Sequence, residues 1–377
     1  MTTKQTALVW DERYMWYDFG SYARLFNNTP YVQPGTAVES PESKRRIINL
    51  LTATSMLEHL KLIAPKTISK EQLLLVHTQE YVDKVEALSL DNGGDAGLMA
   101  PVPRFGYDIL CLAAGGTKTA IDAVISGKVK NAYALVRPPG HHAEPSQGMG
   151  LCVFANVAIA VKAAMLEHGL KKVAIVDWDA HHGNGYEAAF IDNPNVLVIS
   201  THQDLAIAGS GSVEQNGEGD GEGFNINIPL PPGSGPGAYF AAFDRVVLPA
   251  LRSFNPDLIV VASGLDAASN DPTARMMLNA ESYRQLTRQV MDVADELCNG
   301  RLVLSHEGGY DATLAPFCAL AIFEELSGVK SSIPEDGNPF SRPGMEPNKY
   351  QQLMPHQSDC IKDAEKLLAV LDKACRG

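Results

Sequence analysis

The sequence predicts a three-layer α/β fold, a mostly parallel central sheet with helices on both faces. Three observations carry that expectation. Short runs of Val, Ile, Leu and Ala recur along the 377 residues, as strands buried on both faces require. Segments with helical periodicity lie between those runs, as crossovers between parallel strands require. The runs end in polar or charged residues, which places chemistry at the carboxyl edge of an open parallel sheet, where ligands bind.

Taken in order, the strands are "AYALVRPPG" from Ala132, "KVAIVDWDA" from Lys172, "NVLVISTHQD" from Asn195, "DLIVVASGLDA" from Asp257 and "GRLVLSHEGGY" from Gly300. Helical patterns separate or flank them in "CLAAGGTKTAIDAVISG", "NVAIAVKAAMLEHGL", "AYFAAFDRVVLPALRSF" and "AESYRQLTRQVMDVADELCNG". The Gly-rich stretch from Gly209 to Gly223 and the Pro/Gly-bearing stretch from Ser331 to Tyr350 read as surface excursions. No repeat or low-complexity linker divides the chain, so residues 1–377 are expected to form one catalytic domain ending in a helix.

Composition narrows the class. Hydrophobic residues make up 45% of the chain, enough for a large core, and the net charge of −13 disfavours a grip on nucleic acid phosphates. A cationic substrate tail would be attracted instead. The N-terminus lacks a basic segment followed by an apolar one, and no apolar run approaches the ~20 residues of a membrane helix. The six cysteines show no CxxC spacing and are expected to be reduced thiols of a cytoplasmic protein with no membrane partner.

The strand ends carry the chemistry. In "AIVDWDAHHGNG" a buried run meets two aspartates and two histidines, groups that are costly to bury without a partner. Asp179 and His181 lie two apart, so an extended backbone would aim both the same way, and Asp266 after "ASGL" is the natural third ligand. Two oxygens and a nitrogen with an open position suit a catalytic zinc, although Fe(II) or Co(II) would also be accepted. In "RPPGHHAEP" a restricted turn presents His141 and His142, for which Asp177 and Asn184 are suitable partners. An Asp partner favours an imidazolium, and an amide partner leaves its histidine freer to act as a base. In "HEGGYDA" the glycines allow a turn that aims Tyr310 into the cleft as an oxyanion donor. His182 is left without a role.

Together, "RPPGHHA", "VDWDAHHGNG", "SGLDA" and "HEGGY" resemble the histone deacetylase family in the broad sense, and the resemblance extends to "ESPESKRR" and "LLLVHTQEYV" near the N-terminus. The bacterial deacetylase-like and acetylpolyamine amidohydrolases look most similar, and Asn184 resembles the class II side. The resemblance implies an arginase-deacetylase fold with one zinc per chain, held by Asp179, His181 and Asp266. It implies His142 as general base and acid, His141 with Asp177 as its electrostatic partner, and Tyr310 as oxyanion stabiliser. It also implies structural potassium near Asp177, Asp179, His181, Ser200 and Thr201, with a second site around Phe190, Asn193, Val196 and Phe224. A binuclear arginase-type centre is disfavoured, because Gly183 and Ala268 stand where bridging carboxylates would be needed. Related bacterial enzymes suggest a homo-oligomer, either dimer or tetramer.

The substrate channel departs from the family. Leu151 and Ile207 stand roughly where two aromatic walls are usual, and Met99 stands where a rim aspartate grips a peptide, with Gly150 and Gly308 beside them. Losing stacking and charge-assisted bonds makes a protein substrate less suited than a small apolar amide. Zinc-dependent hydrolysis of a small-molecule amide is therefore expected, with deacetylation of acetyl-lysine or acetylpolyamine as the alternative. A non-catalytic metal-dependent binding protein is the contrasting class, opposed by the His pair and Tyr310.

Overall fold

The computed structural model describes residues 5–21, 31–205, 209–333 and 351–376. Eight strands form one parallel sheet: β1 (Thr6–Val9), β2 (Lys61–Ile63), β3 (Asn131–Ala134), β4 (Val173–Asp177), β5 (Val196–Gln203), β6 (Asn225–Leu230), β7 (Leu258–Ser263) and β8 (Leu302–His306). Their order across the sheet is β6-β5-β4-β7-β8-β3-β1-β2. All five strands expected from the sequence are present.

Three further strands escaped the apolar-run criterion, each for a physical reason. β1 is only four residues long, and the middle residue of the edge strand β2, Leu62, is exposed. β6 alternates Asn225, Ile226, Asn227 and Ile228, because its isoleucines enter the core while its asparagines reach the carboxylate of Glu187.

The inner strands are buried on both faces, which accounts for their unbroken apolar runs. On β4, Ala174 and Val176 join one core layer while Val173 and Ile175 join the other. The first layer includes helices α1 (Pro41–Ala53), α6 (Pro236–Ala242), α7 (Leu248–Phe254), α8 (Ala280–Cys298), α9 (Ala315–Ser327) and α10 (Pro355–Arg376). The second includes α2 (Gln79–Leu90), α3 (Tyr107–Ile125), α4 (Asn156–His168) and α5 (Asn184–Phe190). Local signals set several helix ends: Ser69 and Asn279 build capping boxes, and Gly169 and Gly328 close α4 and α9 at positive φ.

Strand order decides where the site lies. From β4 the chain runs outward through β5 and β6, then returns to lay β7 on the other side of β4. Asp177 thereby sits opposite Ser200 on one side and Ala262 on the other. β8 then fills the gap between β7 and β3, bringing the segment after His306 beside the turn that follows Ala134. Such a reversal of strand order opens a crevice at the carboxyl edge.

Candidate functional site

Asp179, His181 and Asp266 come together at that edge, with one ligand atom from each lying within 4.8 Å of the others. The mechanism differs from strand alternation, because β4 ends at Asp177 and both later residues lie in a turn. Asp177 Oδ1 accepts from the Asp179 N–H (3.0 Å), and Asp179 Oδ1 accepts from the His181 N–H (2.9 Å). Those two side-chain-to-backbone bonds fix the turn. The Ala180 N–H bonds Asp266 Oδ1 (2.8 Å), and the Gly308 N–H bonds Asp179 Oδ2 (2.8 Å).

The glycines are required here by contact. A Cβ on Gly264 would lie 2.1 Å from Asp179 Oδ2, and one on Gly308 would lie 2.3 Å from Asp266 Oδ2. Backbone therefore closes over both carboxylates.

This donor set fits a divalent cation. His181 Nδ1 lies 3.0 Å from Asp266 Oδ2 and 3.2 Å from Asp179 Oδ1, so the ring faces both acids. Both aspartates are fully buried, and burial together with the Asp179 charge pushes the Asp266 carboxyl up to about 7. A cation relieves that crowding of negative charge. Two other groups of ligand-type residues exist among the described residues, but their atoms already have partners. Lys118 Nζ bridges Asp122 (2.9 Å) and Glu167 (2.6 Å) beside His168, and in the set His141–Cys152–Glu307 the histidine is bound to Asp177 and the glutamate to backbone N–H groups.

The His pair stands beside this cluster. His141 Nδ1 lies 3.1 Å from Asp177 Oδ2, and His142 Nδ1 lies 2.8 Å from Asn184 Oδ1. The Asn184 amide nitrogen donates to Glu144 Oε1 (2.9 Å), which fixes its oxygen toward His142. An amide oxygen can only accept, so Nδ1 of His142 carries the proton and Nε2 presents a lone pair. Burial, then the neighbouring His141 charge, holds His142 well below the usual histidine range. Burial opposes the charge on His141 too, but Asp179 and Asp177 outweigh it and raise that ring to about 10. The surroundings thus push the two imidazoles in opposite directions, with ring centres 3.9 Å apart.

Glu307 was not singled out by the sequence analysis. Its buried carboxylate accepts from the N–H groups of Gly140 (2.7 Å) and His141 (3.1 Å) and from the Tyr186 hydroxyl, so it clamps the turn bearing the His pair. The signal was available as a glutamate ending an apolar strand in "VLSHEGG".

Tyr310 follows Gly309, whose φ of +119° turns the backbone. Its N–H bonds Asp271 Oδ2 (2.8 Å), and its hydroxyl has no hydrogen-bond partner among the described residues. Burial and the Asp266 and Asp179 charges raise the phenol well above its ordinary range, keeping it a proton donor. Lys44 Nζ lies 5.0 Å from the ring centre and 3.5 Å from the Gly309 oxygen, while bonding Glu39 Oε1 at 2.8 Å. Arg137 grips the other Glu39 oxygen and the carbonyls of Tyr14 and Tyr17. "ESPESKRR" thus reaches the site through a buried ion network.

The channel positions are partly assembled. A Cβ on Gly150 would lie 2.6 Å from His142 Cδ2, so that backbone packs on the ring. The N–H groups of Gly150 and Leu151 bond the carbonyls of Leu98 (2.9 Å) and Met99 (2.8 Å), tying these two short segments together. Met99 is partly exposed, whereas Asp95 Oδ1 turns back to accept from the N–H groups of Gly97 and Ala100. Ile207 lies outside the described residues.

Ser200 and Thr201 are buried near Asp177, and Thr201 Oγ1 has no hydrogen-bond partner among the described residues. Around Phe190, Asn193, Val196 and Phe224, the carbonyls of Phe190, Asn193 and Phe224 each accept one backbone N–H.

Comparison with known proteins agrees with this geometry. A family model described as the histone deacetylase domain matches residues 37–326. A histone deacetylase-like amidohydrolase of Pseudomonas aeruginosa is 47% identical over 335 residues, covering 88% of each chain. A probable deacetylase of Archaeoglobus fulgidus is 40% identical over 283 residues, 74% of this chain and 78% of its own. Among solved structures, the HDA15 HD domain matches with a TM-score of 0.84 at 29% identity, covering 99% of this chain and 98% of that one.

Proposed function

This chain belongs to the histone deacetylase family, and from that premise we propose a zinc-dependent amidohydrolase that prefers a small-molecule amide. The observation that carries the chemistry is His142, its Nδ1 2.8 Å from the Asn184 amide oxygen, beside three convergent metal-type ligands. Asp179, His181 and Asp266 would hold one zinc ion per chain, which would supply Lewis-acid polarisation of the amide carbonyl and a lowered pKa for the attacking water.

The chain's own groups supply the proton traffic. His142 takes a proton from water at Nε2 and returns it to the leaving amine. Asn184 keeps the opposite nitrogen protonated and so fixes the tautomer. His141, charged against Asp177, opposes a second lasting positive charge on His142 and favours release of that proton to the amine. Tyr310 donates from its unpartnered hydroxyl to the oxygen on which charge develops.

Potassium ions are included, the first at Asp177, Asp179, His181, Ser200 and Thr201 and the second around Phe190, Asn193, Val196 and Phe224. The unpartnered Thr201 Oγ1 supports the first. A single domain over residues 1–377 is supported by one sheet that takes strands from both halves of the chain. The six free thiols support a cytoplasmic location, and assembly as a dimer or tetramer rests on the family resemblance.

The substrate preference rests on the rim. Met99 offers no acceptor to a peptide backbone, and nearby Asp95 is engaged by its own loop. The net charge of −13 favours a second reading, deacetylation of a cationic acetylpolyamine or acetyl-lysine. A panel of small N-alkyl amides, acetylated polyamines and acetyl-lysine peptides with the zinc-loaded protein separates them. The highest kcat/KM is expected on small amides, and a strong preference for peptides overturns that choice.

A further inference from the structure

Tyr310 owes its place to a backbone turn that the sequence alone leaves free to move. It follows Gly308 and Gly309, and glycine gives the chain its widest choice of conformations. The first glycine is pinned beside the metal-type ligands, with its N–H on Asp179 Oδ2 (2.8 Å) and its carbonyl accepting from the Leu265 N–H (3.0 Å). The second adopts φ +119°, and a Cβ there would lie 2.8 Å from Leu265 Cβ. The peptide plane joining Gly309 to Tyr310 is the last before the phenol, so its orientation sets where that side chain leaves the backbone.

Buried side chains grip this plane at both ends. Lys44 Nζ lies 3.5 Å from the Gly309 oxygen, and Asp271 Oδ2 accepts from the Tyr310 N–H at 2.8 Å. Asp271 is almost completely buried, and its Oδ1 is taken by the Thr273 N–H (2.8 Å) and the Thr273 hydroxyl (2.6 Å). Both oxygens are therefore fixed in direction. The Asp271 N–H bonds the Ala268 carbonyl (3.0 Å), and the Leu278 N–H returns to the Ala267 carbonyl (2.9 Å), so the segment is tied back to the residues just after Asp266. One short stretch of chain thus carries both a metal-type ligand, Asp266, and the acceptor that holds the Tyr310 turn.

We propose that Asp271 is a positioning residue for Tyr310: by holding the Gly309–Tyr310 peptide at its N–H end, it sets where the phenol hydroxyl stands relative to Asp179, His181 and Asp266. The catalytic part rests on the amidohydrolase reading, and the hold on the turn does not. Asp271 acts through the Tyr310 backbone and touches no reacting atom. Its loss leaves the bonds that fix Asp179 and His181 in place and frees the one peptide on which the oxyanion donor depends.

The test measures amide hydrolysis and zinc content for Asp271→Ala and Asp271→Asn, each made both in the otherwise unmodified protein and in Tyr310→Phe. In Asp271→Ala, kcat should fall about 10- to 100-fold with KM within about threefold, because a transition-state donor is misplaced while substrate binding is spared. In the Tyr310→Phe background the same change should lower kcat by less than about twofold, since the hydroxyl that Asp271 positions is already gone. A residue that only supported the fold would lower kcat alike in both backgrounds. Asp271→Asn keeps the volume and one acceptor oxygen, so its kcat should lie between the two, and it carries the same comparison if the alanine variant does not fold. Amide hydrogen exchange at residues 309–312 should quicken about tenfold in either variant. Unchanged kcat, an equal fall in both backgrounds, a fall accompanied by zinc loss, or unchanged exchange at 309–312 overturns the proposal. If the unmodified protein hydrolyses no amide, the amidohydrolase reading fails, and the exchange measurement still decides whether Asp271 holds the turn.

Discussion

Replacing His142 by alanine is expected to lower kcat for amide hydrolysis by about 10²- to 10⁴-fold, the range for losing a positioned proton carrier. The expectation follows from the ring's two nitrogens. Asn184 Oδ1 at 2.8 Å accepts a hydrogen bond from Nδ1–H, so the lone pair stands on Nε2. Because burial and His141 hold this imidazole well below 6.5, its basic form persists into mildly acidic solution. A base works deprotonated, so the acid limb that His142 contributes to kcat/KM lies below pH 6.5. Steady-state rates for wild type and His142→Ala, with zinc content measured in parallel, check both points. Near-normal turnover in the variant, or a wild-type limb at or above 6.5 that the variant retains, contradicts the assignment.

Replacing Glu39 by alanine should cost about 3–5 kcal/mol of stability, because it strands two buried cations without their counter-ion. The side chains of Lys44 and Arg137 are 0% and 1% exposed, and Glu39 holds one on each oxygen, at 2.8 and 2.7 Å. Burial alone would raise the Glu39 carboxyl, but the Arg137 and Lys44 charges outweigh it and keep it below the usual range. The network also holds the Tyr14 and Tyr17 carbonyls and the Gly309 carbonyl, so its failure reaches the turn before Tyr310. Chemical denaturation measures the loss, and Glu39→Ala combined with Lys44→Met should recover part of it by removing one stranded charge. A loss below about 1 kcal/mol would place the three groups in a far wetter setting.

The sheet was legible wherever a strand is covered on both faces, since β4, β7 and β8 are nearly pure aliphatic runs. Edges were less legible. β6 shares its residues between the core and the polar clamp around Glu187, so it never reads as an apolar run. Asp179, His181 and Asp266 were legible as residue types, but the turn that aims them is built by side-chain bonds to backbone rather than by strand alternation. Asp177 and Asn184 were legible as partners of the His pair, an acid and an amide close to Asp179 and His181, but which histidine takes which partner is fixed only by the fold, which sets His141 on Asp177 and His142 on Asn184. Glu307, Lys44 and Glu39 were not singled out. Each acts through a group distant in sequence, Glu307 on the Gly140 N–H, Lys44 on the Gly309 carbonyl and Glu39 on Arg137, and no local pattern reports such a partner.

The most direct test of the central claim is amide hydrolysis by chelator-stripped protein during titration with zinc, followed in parallel with Asp266→Asn. Wild-type activity should vanish on stripping and return as about one equivalent of zinc binds, and Asp266→Asn should recover little because it lacks one of three ligands. Activity that survives complete removal of the metal, or full recovery in Asp266→Asn, would contradict a reaction centred on Asp179, His181 and Asp266.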